Sequence, residues 1–256
     1  MIIRFLGAHN EESRETRWPS LLIDDVLAVD AGSLVSELSF AEQEKVTAVL
    51  LSHGHYDHIK AVPALVFNNS HRLTRVYGAP QTLDILTSHL LDGIIYPEFA
   101  EDTSFLGKQA LELCPLEHLK ATDIEGNRVL PVAVNHFAGA LGFEITSRDG
   151  KSLFYTGDAG PGISQLWPHI NPQVLITDLT FPNSRAEVAT ESKHLCPRTL
   201  QQELIEFRQM KGYLPRVILV HMSPRLEAEI REETEQIAKE LSVAIELAYE
   251  GKVLSI

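Results

Sequence analysis

Short apolar runs separated by polar turns fill the first fifty or so residues of the chain, which is the pattern of consecutive β-strands. IIRFLG, SLLIDD and VLAVDAG are three such runs. The next run, VTAVLLS, is almost continuously apolar, as expected for a strand covered on both faces. We therefore predict a series of strands whose last, buried member ends at a cluster of histidines.

Beyond the histidines the spacing of apolar residues becomes helical. IKAVPALVF resumes the apolar pattern, and PQTLDILTSHLLDGII places Leu83, Leu86, Leu90 and Ile94 at helical intervals. Proline is tolerated in the first turn of a helix, so we predict a helix that begins near Pro80.

The second half of the chain alternates between the two patterns. RVLPVAVNH, GFEITSRDGKSLFYTGD and QVLITDL predict strands, with a hairpin turn at Asp149 and Gly150. A helix from Arg198 through Met210, a buried strand in PRVILVHMSP, a charged helix in EAEIREETEQIAKELS and a last strand pair in IELAYEGKVLSI follow. Strands mixed with helices in both halves predict an α/β fold with two sheets between helices. No linker-like run interrupts the pattern, which favours one domain over residues 1–256.

Composition narrows the functional classes. The chain has 256 residues with 22 Lys and Arg against 35 Asp and Glu, a formal charge of −13. No apolar run approaches the roughly 18 to 20 residues of a membrane helix, and MIIRFLGAHN has no export signal, so we expect a cytoplasmic protein without membrane contact. In that compartment Cys114 and Cys196 are expected to be free thiols. An extended nucleic acid is not an expected partner, because it would need a basic surface.

The most informative motif is SHGHYDHI, which places His53, His55, Asp57 and His58 within six residues. Imidazole and carboxylate are the usual ligands of zinc and related divalent ions. Gly54 permits the chain to turn, so that ligands at the end of a buried strand converge. The motif therefore predicts a metal site.

Three later apolar runs also end in a candidate ligand: His136 follows VLPVAVN, Asp158 follows SLFYTG, and His221 follows RVILV. Each alone is weak evidence, but their order is specific. The sequence resembles the metallo-β-lactamase superfamily, whose HxHxDH motif is followed by a separate His, an Asp and a final His. The resemblance covers nearly the whole chain and implies an αββα sandwich of two mixed β-sheets flanked by helices.

The resemblance also implies a dinuclear site for two divalent ions, with zinc expected and manganese or iron as alternatives. It assigns one ion to His53, His55 and His136, the other to Asp57, His58 and His221, and both to a bridging Asp158. Asp30, in AVDAG, would orient ligands through hydrogen bonds.

Hydrolysis is the chemistry expected of such a site, because metal coordination lowers the pKa of water toward about 7. The two ions outweigh the neighbouring carboxylates, so a small anionic substrate is favoured even in an acidic protein. Our hypothesis is that a hydroxide between the ions attacks the phosphorus of a phosphodiester. Asp57 and His194 are the residues assigned to the catalytic step, with His194, in ESKHLCP, as the acid that protonates the leaving group. His194, Ser223 and Arg225 are the expected substrate contacts.

Two resemblances bear on the branch of the family. HMSPR resembles the final motif of both the ribonuclease Z branch and the cyclic-nucleotide phosphodiesterases. SHLLDGIIYPEFAE resembles a stretch of class II cyclic-nucleotide phosphodiesterases and implies a pocket wall or lid, although plain core or a homodimer surface explains it equally well. His9 and Asn10, which end the strand in GAHN, are a further open case and could approach the metal face.

The leading interpretation is therefore a metal-dependent phosphodiesterase that cleaves a small cyclic nucleotide. A ribonuclease Z-like endonuclease is the nearest alternative, but the chain has no Gly- and Lys-rich insertion to form a long clamping arm. A non-hydrolytic iron protein with a redox or sensing role is the alternative from another class, since His and carboxylate ligands also suit iron.

Overall fold

Two seven-stranded sheets pack face to face in the computed structural model, which describes residues 1–99 and 109–256. The first sheet contains, in spatial order, β14 (Val253–Ser255), β1 (Ile2–Gly7), β2 (Ser20–Ile23), β3 (Leu27–Val29), β4 (Ala48–Leu50), β5 (Thr74–Gly78) and β6 (Leu111–Pro115). The second contains β13 (Ile245–Leu247), β12 (Arg216–Val220), β11 (Val174–Asp178), β10 (Ser152–Tyr155), β9 (Leu141–Thr146), β8 (Asn127–Ala133) and β7 (Thr122–Ile124).

Helices cover the outer face of each sheet. They are α1 (Phe40–Gln43), α2 (Tyr56–Ile59), α3 (Val62–Asn68), α4 (Pro80–His89), α5 (Ala186–Glu191), α6 (Pro197–Lys211) and α7 (Glu227–Leu241), with 3₁₀ turns at Ile163–His169 and Asn183–Arg185. Three apolar clusters separate the layers. One, which includes Phe5 and Phe143, lies between the sheets, and the other two lie between each sheet and its helices. The predicted αββα sandwich is confirmed.

Both sheets are mixed, and this arrangement positions the functional edge. Strands β3 to β6 run parallel to one another, as do β10 to β13. Strands β1 and β8 run in the same direction as the parallel members of their own sheets, because each is separated from them by one antiparallel strand. The carboxyl ends of these strands therefore meet along one edge of the sandwich, the edge where open α/β sheets bind ligands.

Two details of the predicted elements are wrong. Helix α4 begins at Pro80 as predicted but ends at His89, short of Ile94, because Asp92 accepts the backbone N–H groups of Ile94 and Ile95 and Gly93 takes a left-handed φ of 75°. The last two strands are not paired with each other. Strand β13 lies beside β12 in the second sheet, whereas β14 lies beside β1 in the first.

The segment after α4 combines core and surface positions. Leu91 is buried, and Tyr96 and Phe99 pack against the ring of Phe67 on α3. Ile94 is 89% exposed and Ile95 is 63% exposed. The end of the sequence-predicted lid, at residues 100 and 101, lies outside the described residues.

Two further expectations concern the whole chain. Cys114 and Cys196 are both free, as predicted. Across residues 1–99 and 109–256, no helix is both long enough and apolar enough to cross a membrane.

Candidate metal centre

The predicted ligands converge at the carboxyl edge of the sandwich. The loop after β4 carries the motif from His53 to His58, and His136, Asp158 and His221 follow β8, β10 and β12. Gly54 fits here for a reason other than the one predicted. Its backbone is not left-handed, but a Cβ atom at this position would lie 2.6 Å from Cδ1 of Ile85, so a larger residue would require the Ile85 side chain on α4 to shift.

The predicted ligand atoms form two adjoining groups, and a third group of possible ligand atoms joins His194 to Asp158 and His221. Those of His53, His55, His136 and Asp158 lie within 4.8 Å of one another, and those of Asp57, His58 and His221 do the same. Asp158 lies between the groups. Its Oδ2 is 3.7 Å from Nε2 of both His53 and His136 and 3.4 Å from Nε2 of His221, and its Oδ1 is 3.4 Å from Nε2 of His58.

Several of these atoms are buried without a hydrogen-bond partner in the described part of the chain: Nε2 of His53, Nε2 of His58 and Oδ1 of Asp158. A buried polar atom without a partner costs about 1–3 kcal/mol, so folds rarely retain a group of them. All three point into the space that the two groups enclose, and all are donor types that zinc, iron or manganese accepts. The residues therefore fit a divalent metal ion. The assignment of each residue to one ion stays a prediction.

Burial and mutual charge shift the pKa values of these groups in opposite directions. Burial lowers the pKa of His53 well below its usual range, and the charge of His58 lowers it further. Burial also lowers the pKa of His58, but Asp158, Asp30 and Asp57 outweigh it and raise the pKa well above the usual value. The pKa of Asp158 is held well below its usual range, since His221 and His58 outweigh the effect of burial.

The carboxylate of Asp30 is hydrogen-bonded to residues of this cluster. Its Oδ2 accepts hydrogen bonds from Nδ1 of His58 at 2.7 Å, from the hydroxyl of Tyr155 at 2.6 Å and from Oγ of Ser52 at 2.8 Å. Oγ of Ser52 in turn lies 3.0 Å from Nδ1 of His53. With Nδ1 of each imidazole engaged, Nε2 is directed at the metal space.

Sequence reasoning missed the remaining supports. Oγ1 of Thr180 lies 2.9 Å from Nδ1 of His221, and the carbonyl of Lys193 lies 3.0 Å from Nδ1 of His136. Asp30, Lys193 and His221 have positive φ values of 56°, 56° and 60°. Non-glycine residues with such values are uncommon and cluster at functional sites. The sequence signal was weak, because none of the three is a glycine or an asparagine.

His194 lies beside the cluster and is held by a carboxylate that sequence reasoning also missed. Its ring stacks on His221 with centroids 5.1 Å apart and lies 4.9 Å from the ring of His136. Its Nδ1 is 3.1 Å from Oδ2 of the fully buried Asp178. Burial lowers the pKa of His194, but the hydrogen bond and charge of Asp178 outweigh it and raise the pKa. This is the environment of an imidazolium that can donate a proton.

A family model described as a beta-lactamase superfamily domain matches residues 21–222 of the chain. The chain belongs to the beta-lactamase superfamily. The matched range contains every predicted metal ligand, from the His53 motif to His221, and so the recognition made from the motif order is confirmed.

Two curated relatives share distant sequence similarity with the chain. An RNase J-like protein of Methanocaldococcus jannaschii is 24% identical over 194 residues, 75% of this chain and 43% of that protein. A UPF0173 metal-dependent hydrolase of Myxococcus xanthus is 26% identical over 139 residues, 53% of this chain and 46% of that protein. The matches thus span less than half the length of these curated relatives. The crystal structure of unliganded yeast PDE1 shares the fold, with a TM-score of 0.81, 16% identity and coverage of 100% of this chain and 99% of that chain.

Ser223 and Arg225 lie next to this superfamily site but make their side-chain contacts elsewhere. Oγ of Ser223 donates to Oε1 of Glu11 at 3.2 Å, and Nε of Arg225 lies 3.3 Å from Oε2 of the same residue. Arg225 is 84% exposed. The structure therefore does not bring these two side chains into the ligand cluster, and their contact with substrate stays a prediction.

His9 reaches the same edge but belongs to a separate buried network. Its Nδ1 is 2.7 Å from Oε1 of Glu250, and its Nε2 is 3.3 Å from Oε2 of Glu227. Burial lowers the pKa of His9, but the two carboxylates outweigh it and raise the pKa above its ordinary value. Through these contacts His9 links the end of β1 to the first turn of α7 and to the loop before β14. It is not a member of the ligand cluster.

Replacing His9 with Gln should lower the free energy of unfolding by about 1–2 kcal/mol at pH 5.5, as expected for lost hydrogen bonds between charged groups. Because the folded pKa of His9 is raised, this contribution is complete below the unfolded value of about 6.5 and disappears as the pH rises through the folded value. Urea unfolding of both proteins at pH 5.5 and pH 9 measures the difference. The exposed His71 provides a control, since His71→Gln should change stability at neither pH. An equal loss for His9→Gln at both pH values would contradict the charged pairing.

Proposed function

We propose that this protein is a metal-dependent hydrolase that cleaves a small phosphodiester, with a cyclic nucleotide as the substrate class. The observation that carries the proposal is the position of the Asp158 carboxylate, 3.4–3.7 Å from four imidazoles of two adjoining ligand groups. In this proposal the seven predicted ligands serve two cations, and His194 is left for proton transfer. The name of the Myxococcus relative, a metal-dependent hydrolase, supports the same class of activity.

The residues of the chain have distinct roles in this proposal. The seven clustered His and Asp residues hold the ions, which when bound lower the pKa of water and offset negative charge on a phosphate. Asp57 and His221 offer neighbouring ligand atoms, since Oδ2 of Asp57 lies 3.2 Å from Nε2 of His221. His194 presents Nε2 to the leaving oxygen, since its Nδ1 is engaged by Asp178, and donates the proton that the departing oxygen requires.

Charge distribution favours a small substrate over an extended RNA. The chain carries a formal charge of −13. Two cationic side chains near the edge are already paired with carboxylates, Lys60 with Glu12 and Arg225 with Glu11. An RNA lying across this surface would release few counterions and would gain little binding free energy from them. A small diester at the metal site would interact mainly with the bound ions, because salt screens charges beyond about 8 Å.

Phe137 supports a substrate that carries an aromatic ring. It directly follows His136, remains 44% exposed and lies 5.1 Å from the ring of His55. On the other side of the cluster the ring of Phe181 lies 6.2 Å from that of His194. A nucleobase stacked on an aromatic side chain gains about 1–3 kcal/mol.

Replacing Phe137 with Ala should therefore raise KM for a cyclic nucleotide by about tenfold, a value within that stacking range. A ribose cyclic phosphate that lacks a base should be hydrolysed as well by the variant as by the parent protein. Steady-state kinetics on the two substrates measure the difference, and Phe40→Ala, which truncates a 71% exposed ring on α1, is the matched control. An equal rise in KM for both substrates would rule out base stacking on Phe137.

The proposal is tested by a substrate panel on one metal-analysed sample. The panel contains cyclic mononucleotides, linear diesters, precursor tRNA, thioesters and lactams. Hydrolysis of cyclic mononucleotides with the highest kcat/KM supports the proposal. Preferential cleavage of precursor tRNA would instead favour a ribonuclease, the class that the name of the Methanocaldococcus RNase J-like protein indicates. Bound iron with oxygen-dependent chemistry and intact diesters would favour a redox or sensing protein.

A further inference from the structure

Lys193 has an unusual backbone at a position that touches the candidate metal centre. It directly precedes His194 and has a left-handed φ of 56°. Residues other than glycine and asparagine rarely adopt this conformation, because their Cβ atom crowds the backbone. The surroundings leave the loop little space, since a Cβ atom at Gly160 would lie 3.1 Å from Cα of Lys193.

The left-handed turn allows Lys193 to contact His136 twice. Its carbonyl oxygen accepts the Nδ1–H of His136 at 3.0 Å. Its ammonium Nζ donates to the carbonyl oxygen of His136 at 2.8 Å. The first contact fixes the tautomer and the ring orientation of the imidazole, and the second fixes the peptide group to which that imidazole is attached. Together they leave Nε2 of His136 directed at Asp158, 3.7 Å away.

Lys193 differs in its ion pairing from Lys60 and Arg225, two other cationic residues near this edge. Lys60 and Arg225 are paired with Glu12 and Glu11, whereas Lys193 makes no ion pair within residues 1–99 and 109–256. An unpaired ammonium close to a cation site opposes metal binding by charge alone. Its presence is therefore better explained by the hydrogen bond that it donates to His136 than by electrostatic attraction of a metal.

We propose that Lys193 is a positioning residue that holds His136 in its metal-binding orientation and joins this ligand to His194. The residue acts through His136 and touches neither metal nor substrate. Because His194 is the next residue, the same turn sets the distance of 4.9 Å between the rings of His136 and His194. The inference rests on the proposed role of His136 as a metal ligand and is independent of which diester is cleaved.

Three substitutions at Lys193 separate the effect of its backbone conformation from the effect of its ammonium group. Lys193→Asn tolerates the left-handed backbone but removes the ammonium, Lys193→Val removes the ammonium and disfavours the backbone, and Lys193→Arg keeps a cationic donor. Removing a group that orients a ligand lowers metal affinity by about 10–100-fold. We expect a loss of that size at one of the two ions for Lys193→Val, a smaller loss for Lys193→Asn, and recovery of most of the affinity in Lys193→Arg.

The experiment is a chelator competition with Zn²⁺ on the purified full chain, together with the absorption spectrum of the Co²⁺-loaded protein. The spectrum should change for Lys193→Val, because the number or geometry of imidazole ligands changes. Glu125→Val is the matched control, since Glu125 has a φ of 48° at the turn between β7 and β8, away from the metal edge. It should reduce stability without changing Zn²⁺ affinity.

Unchanged Zn²⁺ affinity in both Lys193→Val and Lys193→Asn would overturn the inference. If Lys193→Val does not fold, Lys193→Asn alone decides, and wild-type affinity together with a wild-type Co²⁺ spectrum would overturn it. The proposed function fails separately. If Lys193→Val weakens Zn²⁺ binding but the parent protein hydrolyses no phosphodiester, the positioning role stands and the phosphodiesterase proposal falls.

Discussion

Replacing Asp158 with Ala should remove both metal ions and abolish hydrolysis. This carboxylate lies within 3.7 Å of imidazoles from both ligand groups, and its Oδ1 has no hydrogen-bond partner among the described residues. A metal pair contributes several kcal/mol to hydrolysis, so the loss in kcat should be about a thousandfold or more.

Metal content and thermal unfolding measure this loss independently of activity. Zn²⁺ at a thousandfold excess over its Kd should stabilise the parent protein by about 4 kcal/mol and should leave Asp158→Ala unchanged. Asp123→Ala is the control, because Asp123 is exposed on β7. Retention of two zinc ions per chain by Asp158→Ala would contradict the bridging position.

The succession of strands along the chain and the ligand motif could be predicted from the sequence, because both depend on local patterns. Strand β4 is continuously apolar and ends just before His53, and β12 is similar and ends just before His221. The boundaries of α4 and the partners of β13 and β14 were not readable in this way. The end of α4 depends on a side-chain turn at Asp92, and pairing in a sandwich depends on which sheet a strand joins.

The groups that orient the metal ligands were harder to predict than the ligands themselves. Asp178, Thr180 and Lys193 each meet a histidine that is distant in sequence or belongs to another strand end. Thr180 contributes a hydroxyl and Lys193 a backbone carbonyl, neither of which has a sequence signature. All three contacts lie at the carboxyl edge of the second sheet and in its loops, so they depend on the spatial order of its strands. A single sequence therefore identifies donors at strand ends but not the atoms that hold them.

Replacing His194 with Ala should leave both ions bound and slow turnover in proportion to the basicity of the leaving group. A positioned general acid contributes about 10²–10⁴-fold when the departing oxygen needs a proton. We expect that loss for a diester with an alkoxide leaving group and little loss for one that releases 4-nitrophenolate. Kinetics on the two substrates, with zinc content measured on the same samples, test the role. Equal slowing on both would remove His194 from it, and the exposed His71→Ala should slow neither.

A variant of Asp178 tests whether the effect of His194 comes from proton donation or from a disturbed loop. Its Oδ2 contacts Nδ1 of His194, while its Oδ1 accepts the backbone N–H of Ala159, next to Asp158. If Asp178 acts through His194, Asp178→Asn should slow the alkoxide substrate selectively and should add almost nothing once His194 is Ala. If Asp178 acts through Asp158 instead, the losses in rate from Asp178→Asn and His194→Ala should multiply. Zinc affinity should then fall both in Asp178→Asn and in the double variant. This double-mutant cycle, measured together with zinc content, therefore shows whether the Asp178 carboxylate supports proton donation by His194 or metal binding by Asp158.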